Sequence, residues 1–92
     1  MTAAENAICV LGATVTISTA AGVLKTCTDA IRQGARVIDF HQVNEMDSAA
    51  LGLMIECRRE AERAGLALRC INLPVNLKSL ATLYGVLDLI PQ

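Results

Sequence analysis

Ninety-two residues with a formal net charge of −1 and 53% apolar content make one domain, 1–92, with a single aliphatic core. Phe40 and Tyr84 are the only aromatics, which excludes a base-stacking surface, and the charge balance gives neither the basic face expected of a nucleic-acid binder nor a polybasic patch for anionic lipid. Four cysteines with no C-x-x-C pair, beside the single histidine His41, give no metal-ligand spacing.

Residues 7–11 (Ala-Ile-Cys-Val-Leu) form an apolar run closed by Gly12, and 13–18 alternate polar and apolar. The pattern predicts two short strands joined as an N-terminal hairpin. The stretch from Asn6 to Leu24 has no charge and nearly the length of a membrane span. Its hydroxyl side chains and strand-like alternation argue against a span. No basic start precedes an apolar run, so no signal peptide is expected.

Ser18 or Thr19 suits the cap of a helix that buries Val23, Leu24, Cys27, Ala30 and Ile31, pairs Lys25 with Asp29 outside, and stops at Gly34. Val37-Ile38-Asp39-Phe40 reads as a short buried strand, and His41–Met46 as a loop. Asp47 and Ser48 both suit the N-cap of a long helix that runs to about Ala64 and ends at Gly65. Its stripe Ala50, Leu53, Met54, Cys57, Ala61 and Ala64 faces the sheet, while Arg58–Glu62 and Glu60–Arg63 lie on a solvated face. Residues 66–72 return to strand character. Pro74 blocks further extension; Val75, Leu77, Leu80, Ala81 and Tyr84 then predict a final helix of about ten residues stopped by Gly85, and a short apolar tail, 86–90, ends at Pro91. The order ββαβαβα predicts an α/β fold, with right-handed crossovers giving a four-stranded mixed sheet and three main helices packed on it.

Catalysis has little to stand on. His41 is the only histidine, no nucleophile elbow surrounds Ser18, Ser48 or Ser79, and no glycine-rich phosphate loop occurs. Asp39, His41 and Asp47 are the residues an enzyme would use, yet no cleft or activity is implied for them. No catalytic residue, metal or cofactor is assigned. The four cysteines read as small core residues in a reducing compartment.

The Asp47-Ser48 turn carries more. One side chain should satisfy free N–H groups of the first turn, and a hydroxyl at a helix start is also a place for a partner contact or for phosphate. Leu51 and Ile55 lie beside the main stripe, so the early turns are apolar on more than one face. Either the neighbouring helix covers them, or they form an exposed patch for a partner.

Val37-Ile38-Asp39-Phe40 followed by Met46-Asp47-Ser48-Ala49-Ala50-Leu51-Gly52 resembles the signature of the STAS family, in which a strand ending in Asp leads through a loop to an Asp-Ser-Ser-Gly-Leu-Gly-like helix start. The resemblance implies a non-enzymatic interaction domain. Anti-sigma-factor antagonists of this family bind a kinase-type anti-sigma factor and are phosphorylated on the second residue after the Asp. Here that residue is Ala49, which cannot accept phosphate; Ser48 is the remaining phosphorylation candidate. Ala50 also replaces the usual glycine. The run Asp47-Ser48-Ala49-Ala50 and the tail Ser79-Leu80-Ala81-Thr82-Leu83-Tyr84-Gly85-Val86 with Ile90-Pro91 is similar to the STAS subunit of Mla-type phospholipid-transport ABC complexes. That likeness implies a cytoplasmic accessory subunit at the inner face of the membrane, docking on the transporter's ATPase. Asp47, Ser48, Ala49, Leu51 and Ile55 are the expected partner-binding residues.

Overall fold

The computed structural model describes residues 8–92. In chain order these form β1 (Ile8–Val10), β2 (Thr14–Val15), α1 (Ala20–Arg32), β3 (Val37–Asp39), β4 (Glu45–Met46), α2 (Ala49–Arg63), β5 (Arg69–Ile71), α3 (Val75–Leu83) and a 3-10 turn at Leu87–Leu89. Ala7, which the sequence pattern places in the first strand, lies outside the described residues.

The expected α/β architecture with three helices is present, but the sheet differs. Among the described residues there is no N-terminal hairpin and no four-stranded mixed sheet. A three-stranded sheet has the order β1-β3-β5, and β2 pairs with β4 alone; every pairing is parallel. The chain bends after Leu11, whose N–H still donates to Asp39 O at 3.0 Å, and the Ala13 carbonyl then accepts from Asn44 and Glu45 at 2.9 and 3.0 Å. β1 and β2 are thus successive pieces of one path, each paired with a successive piece of the path β3–β4. Alternation revealed strands here, but it carries no information about which strand is the partner. The last two residues of the expected His41–Met46 loop, Glu45–Met46, form a strand, and two residues are too few to show a period in the sequence.

Cys9, Ile38 and Cys70 stand level across the three strands and are all buried, whereas their neighbours Ile8, Val10 and Arg69 are exposed. The core therefore lies on one face of this sheet, filled by Phe40, Ile31, Met54, Leu77, Cys27 and Cys57 from the facing strands and helices. Burying each of the larger side chains contributes roughly 1.5–3 kcal/mol. α1 shows the pattern the sequence predicts, with Cys27 and Ile31 buried and Lys25–Asp29 paired at 3.1 Å outside. In α2, Ala50, Leu53, Met54, Cys57 and Ala61 are buried as expected; Ala64 is exposed because it is already the C-cap.

The three helices among the described residues stop in the same way. Ala35 N–H reaches Ala30 O, Leu66 N–H reaches Ala61 O and Val86 N–H reaches Ala81 O, at 2.9, 2.8 and 2.9 Å. Each closes a Schellman turn around Gly34, Gly65 or Gly85, whose φ values of 105, 73 and 70° are open to glycine at no steric cost.

Candidate partner-docking site

Both helix starts that matter here follow short strands. The parallel crossovers put α1 and α2 side by side and in the same direction, with Ala20 and Ala49 opening them. Asp47 ties the two together. Its Oδ1 accepts from Ala49 N–H at 2.9 Å and its Oδ2 from Ile17 N–H, just before α1, at 3.0 Å. Asp47 N–H donates to Val15 O at 3.2 Å, which anchors the turn to the small sheet.

This geometry decides which of the two candidate caps acts. Ser48 already has helical angles (φ −62°, ψ −15°) and its hydroxyl makes no capping bond. Asp47 is the working cap, and Ser48 is left exposed with a free hydroxyl. In α1 the corresponding expectation fails for both residues. Thr19 Oγ1 turns back, accepting from Thr16 N–H at 2.9 Å and donating to the Thr14 carbonyl at 3.1 Å, so it closes the turn before the helix instead of capping it. Ser18 is exposed and lies before that turn closes.

The structure divides the expected docking residues. Ser48 is exposed, and Asp47 and Ala49 are half-buried around it. Leu51 is 5% exposed and belongs to the core, so it offers nothing to a partner. Ile55 is half-buried and lines an open groove of about 320 Å³ with Ala20, Ala21, Leu24, Ala49, Gly52, Leu53 and Glu56. The fold thus covers Leu51 and leaves Ile55 half-buried at the edge of the groove. The α1 wall of this groove, and Ile17 at 81% exposure beside Asp47, were not assigned from sequence.

Gly52 is the other residue sequence reasoning passed over as a family marker. It is exposed in mid-helix, and a Cβ built there meets nothing within 4 Å. Glycine in a helix interior costs roughly 1 kcal/mol relative to alanine, and no packing within the described residues requires it. The signal in the sequence was that cost.

The carboxylates an enzyme would use are both committed to structure. Asp39 accepts from His41 N–H at 2.9 Å and from Asn72 Nδ2 at 3.0 Å, and faces His41 Nδ1 at 2.9 Å. The Asn72 hydrogen bond, followed by those from His41, holds its carboxyl below the usual carboxylate range. Asn72 holds this position in the left-handed region, at φ 56°, which Asn tolerates better than most residues. No group of three or more His, Cys, Asp or Glu among the described residues is placed to hold a metal ion. No described helix is long and apolar enough to cross a membrane.

A family model described as Mlab, STAS domain, matches residues 3–91. Among solved structures, eleven chains match. One is the anti-sigma factor antagonist SpoIIAA in its unphosphorylated form, with a TM-score of 0.67 and 19% identity over 88% of this chain and 73% of that one. At that identity the likeness shows the fold. No curated protein matches.

Proposed function

Because the chain belongs to the STAS domain family, we propose that it is a non-catalytic docking subunit whose binding surface is the start of α2 with the groove beside it. In this reading the partner is the ATPase of a phospholipid-transport ABC complex, which the domain stabilises or activates from the cytoplasmic side without hydrolysing ATP. The observation that carries it is the helix start itself. Asp47 satisfies the backbone internally, Ser48 is exposed with Ala49 half-buried beside it, and no hydroxyl stands at 49. A surface without the phosphoacceptor suits constitutive docking better than a phosphate-operated switch.

Co-purification with the lipid-transport ATPase encoded in the same genome tests this. Ser48→Arg places a long charged side chain on an exposed, unbonded position and is expected to abolish the complex while leaving the fold intact. Unchanged recovery would remove the proposal. Ile55→Asp is the matching apolar-site variant; Leu51→Asp is unsuitable, because it would bury an unpaired carboxylate in the core.

The free hydroxyl of Ser48 and the fold shared with SpoIIAA support a second reading, a regulator that binds a kinase-type anti-sigma factor. It requires phosphate on Ser48 in protein isolated from cells, which intact-mass and peptide spectrometry detect directly; an unmodified Ser48 in every growth condition would eliminate it.

A further inference from the structure

We infer that the free edge of β4 receives an extended segment of the ATPase partner, which adds as a strand beside Met46 in the cleft between β4 and α3. The inference rests on the docking reading above and adds the form in which that partner binds and a second place of contact.

The ladder of the small sheet is the first ground. Glu45 N–H donates to Ala13 O at 3.0 Å, and Asp47 N–H donates to Val15 O at 3.2 Å. A parallel pair bonds through alternate residues, so Met46, between them, turns its N–H and C=O away from β2. No other described backbone group bonds to either. The edge of β5 is closed by Cys70 N–H on Pro91 O, whereas the edge of β4 is open among the described residues.

The second ground is what faces that edge. A cleft of about 570 Å³ has residues 43–46 as one wall and Pro74, Asn76, Ser79 and Leu80 as the other. Four consecutive residues line it, where a strand showing one face would contribute every second residue. At about 3.3 Å per residue the wall matches a segment of about four residues. Asn44, Asn76 and Ser79 are exposed and put amide and hydroxyl groups on both walls, while Met46, Pro74 and Leu80 are half-buried and offer an apolar seat. A helix lying here would leave the Met46 groups unmet, because its own backbone is bonded internally. An extended segment meets them, which is recognition by strand addition. A two-residue edge is too short to recruit strands by itself, so the α3 wall supplies the selectivity.

Continuity with the docking turn names the partner. β4 runs directly into Asp47 and Ser48, at the start of α2. A subunit seated on that turn has its own chain beside this edge.

The test uses the full chain and the lipid-transport ATPase encoded in the same genome. Hydrogen exchange at the Met46 amide should slow at least about tenfold in the complex, while the Glu45 amide, already bonded, should change by less than about twofold. Met46→Pro deletes the donor at an edge position where proline is tolerated; Met46→Ala removes the same side chain and keeps the donor. The proline variant should bind about tenfold more weakly than the alanine variant, and equal affinities would overturn the added strand. Ser79→Trp, at an exposed position, should fill the cleft and weaken binding with no fall in Tm, and it decides the matter even where the proline variant fails to fold. An unchanged Met46 amide in a complex that Ser48→Arg still abolishes would overturn the added strand and leave the docking reading standing. Protection of Met46 in the chain alone, growing with its concentration, would give the edge to a second copy and overturn the assigned occupant. Failure of the wild type to bind the ATPase would overturn both readings.

Discussion

At the scale of single residues, the most informative contrast is between Asp47 and Ser48. In the sequence both are good caps, and composition cannot choose between them. The choice is made by backbone angles: Ser48 has already entered the helix, which places Asp47 in the capping position. The chemistry then separates sharply. Asp47→Ala removes the acceptor for Ala49 N–H and for Ile17 N–H, and should lower the unfolding free energy by about 1–3 kcal/mol. Ser48→Ala removes no bond from the fold and should stay within about 0.5 kcal/mol of wild type. Urea unfolding of the two variants side by side checks this. Equal destabilisation would mean that the cap is shared, and Ser48 would then lose its standing as a residue free for a partner.

At the scale of elements, helices were far more legible than strands. Each α-helix among the described residues was found with its stop, because a glycine after an apolar stripe is a local chemical instruction and the Schellman turns obey it. Strand pairing is not local. β1 and β2 looked like a hairpin because they are adjacent and separated by Gly12, but each joins a strand more than twenty residues on. The tail shows the same limit. Its apolar character was visible, its role was not: Pro91 O accepts from Cys70 N–H, and the Arg58 guanidinium reaches Asp88 O at 3.3 Å. The tail thereby covers the outer edge of β5, which would otherwise present unpaired backbone groups. Ile90, 6% exposed, anchors it. Ile90→Ala should cost about 2–4 kcal/mol and increase hydrogen exchange at Cys70 more than at Ile38 in the central strand. A uniform increase across the sheet would show that the tail has no specific hold on that edge.

At the scale of the whole molecule, the four cysteines describe how the layers meet. Each was legible as a small buried residue, and all four are buried and free. That they converge was not legible, because they arrive from β1, α1, α2 and β5. Cys9 and Cys27 lie 3.8 Å apart, the neighbouring Cys57 acts on the Cys27 thiol, and Cys27 acts electrostatically on Cys70. The interaction with Cys57, against an opposing pull from Cys9 and together with burial, pushes the Cys27 thiol up to about 12. Burial first, and then Cys27, pushes Cys70 up to about 12. The contact with Cys27, followed by burial, raises Cys9 as well. These thiols are neutral in the folded chain well above the ordinary value of 9.0, at which they ionise once exposed. Their packing therefore supports the fold fully below pH 9. The support is lost as pH rises from 9 toward 12, because the unfolded chain releases protons that the native chain keeps. The loss should be on the order of 1 kcal/mol per pH unit for a single such thiol in that window, and the coupled thiols do not add independently. Urea midpoints at pH 8 and pH 10 measure the loss, and Cys70→Val, which keeps the volume and removes the ionisable group, should show a smaller fall than wild type. An identical fall in the variant would mean that the alkaline sensitivity comes from other groups and that Cys70 acts by packing alone.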